Sequence, residues 1–145
     1  MNEPTTFVDA LDLAFSMGGA TARTFALALD GYLRCALWSS WDLYTERPLD
    51  ELGAGAVADE TFDDMACDVW RFLATCWGDV WEDFEIDLSG IEPEQLGHDL
   101  WLTRNRHGAG FWDRGLGEIG DKLTELAHSY GGITLYIGDD GKIYA

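Results

Sequence analysis

Seven polar residues whose side chains could act as acids, bases or ligands lie close together in sequence, in the last third of the chain. An imidazole beside a carboxylate can transfer protons or bind a metal ion. The sequence around them contains no HExxH, CxxC or GxSxG motif, so we expect no metal and no cofactor. Catalysis, a contact with a partner and structural Arg–Asp pairing all remain open for this set. Its members are His98, Asp99, Arg104, Asn105, His107, Asp113 and Arg114.

A second group of side chains could act through charge alone. A helix over residues 59–85 would be about 40 Å long, and the nine carboxylates in this range would then be spaced roughly 4.5 Å apart. Each strand of duplex DNA carries one phosphate per about 3.4 Å. The spacing therefore predicts a row of phosphate substitutes that docks on a basic, DNA-binding surface. The candidates are Asp59, Glu60, Asp63, Asp64, Asp68, Asp79, Glu82, Asp83, Glu85 and Asp87.

The alternative for these carboxylates is a solvated helix face that keeps the protein soluble. Mutual repulsion of so many like charges costs stability, which favours a basic partner as the reason for keeping them. Trp70 and Trp81 are placed toward the flank of this helix, and if they are exposed there they would be anchors for such a partner. We expect most of the other tryptophans in the core. A second acidic row could come from Asp42, Glu46, Asp50, Glu51, Asp87, Glu92, Glu94 and Asp99.

The composition excludes several classes of function. The chain has 145 residues, of which 27 are acidic and nine basic, and its formal net charge is −18. Direct binding of nucleic acid needs clustered Lys and Arg, so we expect none. With 47% hydrophobic and 13% aromatic residues, the chain can fill a core. Residues 1–99 carry a net charge of −17, whereas residues 100–145 carry −1.

Localisation is predicted from what the sequence lacks. There is no secretory signal pattern near the N-terminus and no apolar run long enough to span a bilayer. The three cysteines are odd in number and fit no zinc or disulfide framework, which is typical of a reducing cytoplasm. We therefore expect a cytoplasmic protein that does not bind membranes.

Helices are expected in the first two thirds of the chain. Apolar residues recur at helical spacing over residues 20–39 and 59–84, and a shorter helix is predicted over residues 7–15. A single helical turn is expected between Pro93 and Gly97. A further helix is predicted over residues 117–130.

The last third is predicted to alternate hairpins with that helix. Residues 100–104 and 110–114 are typical of two strands around a turn, and Asp140-Gly141 indicates a hairpin between residues 133–137 and 142–144. The expected fold is α+β: N-terminal acidic helices packed with a small antiparallel sheet made of two hairpins around one helix. Residues 1–145 would form a single domain, mainly helical over 1–97 and hairpin-helix-hairpin over 98–145.

One block of sequence resembles a known group of proteins. It runs from His98 to Asn105 as HDLWLTRN and from His107 to Gly115 as HGAGFWDRG, and it ends in GDDGKIY at Tyr144. Residues 120–124 and the segment Leu37-Trp38-Ser39-Ser40 belong to the same pattern. The chain thereby resembles small acidic proteins of bacteriophages and mobile elements over roughly residues 32–145. Residues 1–31 depart from the pattern.

The resemblance implies a role but no catalytic residues. Small acidic phage proteins with assigned roles are often inhibitors of host defence, including anti-CRISPR and antirestriction proteins, and several imitate DNA. We therefore expect a non-enzymatic, phage-encoded inhibitor, an anti-CRISPR that blocks the DNA-binding channel of a CRISPR effector or of another defence protein. The alternatives are an antirestriction protein, a small enzyme using His107, Asp113 and Arg104, and a homodimerisation module.

Overall fold

Helices dominate the fold. The computed structural model describes residues 3–81 and 83–145, which contain five α-helices, three short 3-10 helices and four two-residue strands. The α-helices are α1 (Phe7–Ser16), α2 (Gly19–Ser39), α3 (Asp59–Cys76), α4 (Pro93–Arg104) and α5 (Glu118–Ser129). The strands are β1 (Trp41–Asp42), β2 (Arg47–Pro48), β3 (Tyr136–Ile137) and β4 (Ile143–Tyr144), and the 3-10 helices are Leu49–Leu52, Ala54–Ala56 and Phe111–Asp113.

The sheet content is small. Strand β1 pairs antiparallel with β2, and β3 pairs antiparallel with β4, so the structure has two separate hairpins. The broad α+β class predicted from the sequence is confirmed, although strands are a minor part of it. The hairpin at Asp140-Gly141 is confirmed, with Ile137 opposite Ile143. The helices predicted over residues 7–15, 20–39 and 117–130 are also confirmed.

Helix α2 is the centre of the packing and contacts α1, α3 and α4. Its closest neighbour is α4, and the two helices meet at glycines. A Cβ atom on Gly97 would overlap the carbonyl oxygen of Ala28, and one on Gly31 would overlap the carbonyl oxygen of Glu94. The absence of side chains at these two positions therefore sets the distance between α2 and α4.

Aromatic side chains fill the space around α2. Tyr32 and Trp101 are both buried and pack edge to face, with their ring centroids 5.4 Å apart. Phe25 packs in the same way against Trp70 of α3, at 5.8 Å. These contacts join α2 to α4 on one side and to α3 on the other.

Two sequence-based predictions about residues 93–114 are wrong. The turn expected at residues 93–97 continues as helix α4 to Arg104, so residues 100–104 are helical rather than a strand. Residues 110–114 contain a 3-10 helix instead of the partner strand. Helix α4 is buried on most of its circumference, including Leu100, Trp101 and Leu102. Its buried residues lie on several sides and include the polar Asp99, Thr103 and Arg104, so no single apolar stripe marks the helix and residues 100–104 are easily taken for a strand.

Helix α3 is shorter than predicted and ends at Cys76 rather than near residue 84. Gly78 takes φ +84°, which glycine adopts without steric cost. Its N–H donates to the carbonyl of Thr75, and the N–H of Asp79 donates to the carbonyl of Ala74. These two bonds form a Schellman motif, which ends the helix and turns the chain away from its axis.

The three cysteines are free thiols, two of them buried and Cys67 half-buried. Burial raises the pKa of Cys35 and Cys76 to about 12 and that of Cys67 to about 11. Because the thiolate is the reactive form, iodoacetamide at pH 8 should modify the folded protein roughly a hundredfold more slowly than the urea-unfolded chain. Mass spectrometry of timed samples checks this. Equal rates in the two states would contradict it.

In the described part of the chain, no helix combines the length and the apolarity that crossing a bilayer requires.

Candidate docking surface

The first half of α3 carries the densest group of carboxylates on a regular element. Asp59, Glu60 and Asp64 are exposed there, while Asp63 is half-buried. Acidic residues in the first turn are favoured by the helix dipole. Asp68, which is half-buried, is the last acidic residue of the helix. Between it and Cys76 every residue is buried except the exposed Arg71. We call Asp59, Glu60, Asp63 and Asp64 the acidic helix face.

Two of the predicted phosphate substitutes have structural partners. Asp63 accepts a 2.9 Å hydrogen bond from the backbone N–H of Phe7, which fixes the start of α1 against α3. Asp68 lies 2.8 Å from Arg104, so its charge is offset within the chain. Both carboxylates therefore contribute to the structure of the protein rather than standing free in solvent.

A second group of carboxylates follows the end of α3. Asp79, Asp83, Glu85 and Asp87 are exposed, and hydrogen bonds from Ser89 lower the pKa of Asp87. The segment returns to the helix end, where the N–H of Ile86 donates to the carbonyl of Cys76. We call these four residues the acidic loop. Glu82, also predicted from the sequence, lies outside the described residues.

The single 40 Å row expected from the sequence is therefore wrong. Helix α3 has 18 residues and is about 27 Å long, and its carboxylates end at Asp68. The remaining ones lie on a loop that does not continue its axis. The second row is interrupted as well, because Asp99 is buried and Asp42 holds a turn. Negative charge is thus presented as separate patches, not at the regular spacing of a phosphate strand.

A groove runs beside the acidic helix face. Its two parts, of about 480 and 460 Å³, are both lined by Glu3, Asp68 and Arg71. Arg71 lies 3.2 Å from Glu3, so this ion pair bridges the groove. Asp64 lines one part and the half-exposed Trp81 lines the other. The groove joins the acidic helix face to the start of the acidic loop.

Arg104 connects four parts of the structure. Its guanidinium donates to the hydroxyl of Tyr32 at 3.0 Å, to Asp68 at 2.8 Å, and to the carbonyls of Tyr130 and Gly131. Burial alone would lower the pKa of Arg104, but Tyr32 and Asp68 outweigh that effect and raise it. The side chain is therefore a charged structural link between α2, α3, α4 and the end of α5.

The other polar residues of the block also hold the fold together. Asp99, which is buried, accepts two bonds from Arg114 at 3.1 and 2.9 Å. Asp113 accepts from the backbone N–H of Gly110. Asn105 accepts from the N–H of Ile133, which joins the end of α4 to the chain after α5. These contacts link α4 to the elements that follow it in sequence.

The residues of the proposed enzyme site have different neighbours. Arg104 is buried among α2, α3 and α4. Asp113 accepts a hydrogen bond from Gly110 and lies 3.8 Å from Arg114. His107 is exposed beyond the end of α4. Nothing in these contacts joins the three side chains into one site. At the last hairpin, Asp140 accepts from Lys142 and Tyr144, which makes it a turn residue. Among the described residues, no three potential metal ligands converge.

The tryptophans are distributed between core and surface differently from the sequence-based expectation. Trp70 and Trp101 are buried, but Trp38, Trp41 and Trp112 are more than half exposed. Trp81 is 49% exposed, as a partner anchor on the flank would have to be. Sequence reasoning missed the exposure of Leu43 and Tyr44, which lie between the two strands of the first hairpin. The Asp42–Thr45 spacing, typical of an Asx turn, was the available signal.

Searches against protein-family models, curated proteins and solved structures found no match for this chain.

Proposed function

We propose that the protein inhibits a nucleic-acid-targeting defence system of bacteria by placing its carboxylates against a basic, DNA-binding surface. In the form expected from the sequence, it is a phage-encoded anti-CRISPR that blocks the DNA channel of a CRISPR effector. It acts by binding, without catalysis. The protein imitates the charge of DNA in patches rather than its helical spacing.

The observation that carries the proposal is the excess of exposed negative charge. Nine cationic residues stand against 27 acidic ones, and five of the nine already form ion pairs within the described residues. The acidic helix face and the acidic loop therefore keep most of their charge available. Such surfaces steer association with basic partners and lose strength as salt rises.

The test is inhibition of target-DNA cleavage by purified, guide-loaded CRISPR effectors, a Cas9-type enzyme and a multi-subunit complex. Reversing the acidic helix face with Asp59→Lys, Glu60→Lys and Asp64→Lys should raise the half-inhibitory concentration at least a hundredfold. The same is expected for Asp79→Lys, Asp83→Lys and Glu85→Lys in the acidic loop. These six side chains are exposed, so circular dichroism should show an unchanged fold.

A matched control removes the same amount of charge elsewhere. Glu118→Lys, Asp121→Lys and Glu125→Lys change three exposed carboxylates of α5, in the near-neutral half. Inhibition should survive these changes with a less than fivefold loss. If the control variant loses as much as the other two, bulk charge rather than a surface is responsible. If all three variants keep full inhibition, the proposal is wrong.

The same assay separates the two kinds of defence. A type I restriction enzyme with its own DNA substrate is included beside the CRISPR effectors. Inhibition of that enzyme alone would identify the protein as an antirestriction protein instead.

A further inference from the structure

The hairpin formed by β1 and β2 exposes three large apolar side chains. Tyr44 is 98% exposed, Leu43 is 89% exposed and Trp41 is 57% exposed. Leaving such side chains in water forgoes about 25 cal/mol for each Å² that burial would cover. Adjacent exposed apolar residues of this size are typical of protein contact sites. We call residues 41–47 the display hairpin.

The backbone of the display hairpin is held in place. The Asp42 carboxylate accepts from the N–H of Tyr44 at 3.3 Å, and from the N–H and hydroxyl of Thr45 at 3.1 and 2.7 Å. The N–H of Glu46 donates to the carbonyl of Asp42, and Glu46 takes φ +54°, a conformation that non-glycine residues rarely adopt. A turn fixed in this way presents Leu43 and Tyr44 from a backbone that is already ordered, which reduces the backbone entropy lost on binding.

The rim of the display hairpin is acidic. Glu46, Asp50 and Glu51 are exposed around it. Arg47, the cation of this segment, lies 3.6 Å from Glu51. A second copy of the chain would present the same acidic rim and a net charge of −18, so two copies repel one another. Charge complementarity therefore selects a basic partner.

We propose that the display hairpin is the apolar anchor of the protein's interface, inserting Leu43 and Tyr44 into an apolar cleft rimmed by Lys or Arg on a basic protein. This rests on the proposed function only in taking the partner to be basic. The acidic patches speed the encounter, and the anchor lengthens the lifetime of the complex.

The test uses a displayed library of random 12-residue peptides selected on the full-length protein. The enriched peptides should combine at least two Lys or Arg with an aromatic or aliphatic residue. They should bind the Leu43→Ser/Tyr44→Ser variant at least tenfold more weakly. The matched control is Val8→Ser/Phe15→Ser, which removes two apolar side chains of α1 that are 62% and 60% exposed. Binding to the control should change less than twofold.

Several results would overturn the anchor. Enriched peptides that are basic but bind all the variants equally would show attraction by bulk charge alone. Enriched peptides without cations would refute the basic partner, and an unenriched library would refute the site. Sedimentation with phosphatidylcholine vesicles that requires Leu43 and Tyr44 would assign the hairpin to membranes instead.

The outcome is separable from that of the proposed function. If the anchor fails here while charge reversal still abolishes inhibition of DNA cleavage, the inhibitor binds through charge without this contact. If the peptides behave as expected but the charge-reversal variants keep full inhibition, the anchor stands and the proposed function falls.

Discussion

Replacing Arg104 with alanine should lower the free energy of unfolding by roughly 3 kcal/mol, the lower end of the range for removing one partner of a buried ion pair, because Asp68 is only half-buried. The change leaves Asp68 without its cation and removes the donor to the buried hydroxyl of Tyr32. The carbonyls of Tyr130 and Gly131 lose their donor as well. Urea denaturation followed by tryptophan fluorescence measures the effect.

The neighbouring residue provides the control. Arg106 is exposed, so Arg106→Ala should change the unfolding free energy by less than about 0.5 kcal/mol. Should Arg104→Ala fail to fold, Tyr32→Phe removes a single partner of the guanidinium and should cost about 1 kcal/mol. An Arg104→Ala protein as stable as the wild type would show that this link is dispensable.

Gly97→Ala should destabilise the protein by about 3 kcal/mol, at the upper end of the cost of overpacking a core. The new methyl group would overlap the carbonyl oxygen of Ala28 and approach the backbone nitrogen of Tyr32 to 2.7 Å. Both neighbours are backbone atoms of α2, so relief requires the two helices to move apart. Thermal denaturation followed by circular dichroism at 222 nm measures the loss.

Gly19→Ala is the corresponding control. This glycine is the first residue of α2, and a Cβ atom there meets nothing within 4 Å. The substitution should be neutral or slightly stabilising, because alanine reduces the entropy of the unfolded chain. If Gly97→Ala behaves like Gly19→Ala, the helices are not in close contact at that glycine.

The sequence is sufficient to predict a helix where that helix has one apolar stripe and a clear end. Helix α5 follows Gly117 and ends before Gly131, both with positive φ, and it was predicted within a residue at either end. Helix α4 could not be found in this way, because Leu96, Leu100 and Trp101 are buried along with Leu102 and Thr103 on the other sides. Contacts with α2 and α5 bury this helix on several sides, and the periodicity of its own sequence contains no information about those contacts.

The end of α3 illustrates the opposite error. Val80 and Phe84 lie at helical spacing beyond Gly78, so the pattern favoured a continuous helix. The positive φ of Gly78 ends the helix instead, and a glycine inside a helical pattern is only a weak signal of a helix end. That single residue also decides how the candidate site is arranged. The sequence identified most of its carboxylates, but their division into two patches depends on where the chain turns.

Charge partners were the least predictable part of the candidate site. Asp68 and Arg104 are 36 residues apart and meet only after α3 and α4 have packed. Asp99 belongs both to the expected second acidic row and to the polar set for which structural Arg–Asp pairing is one interpretation, and two bonds from Arg114 hold it in the interior, in agreement with the second. Counting charge along a sequence treats every carboxylate alike, so it overestimates the number that face a partner.

The central position of α2 has a consequence for how the molecule could have been assembled in evolution. The resemblance expected from the sequence would begin near residue 32, inside α2, yet Phe25, Ala28 and Leu29 are buried upstream of it, and Gly31 forms the contact with α4. Residues 3–31, which that expectation leaves out, are therefore no detachable appendage. If a protein shared only residues 32–145 with this chain, it would have to supply another half-helix in the same place, because residue 32 lies in the middle of α2.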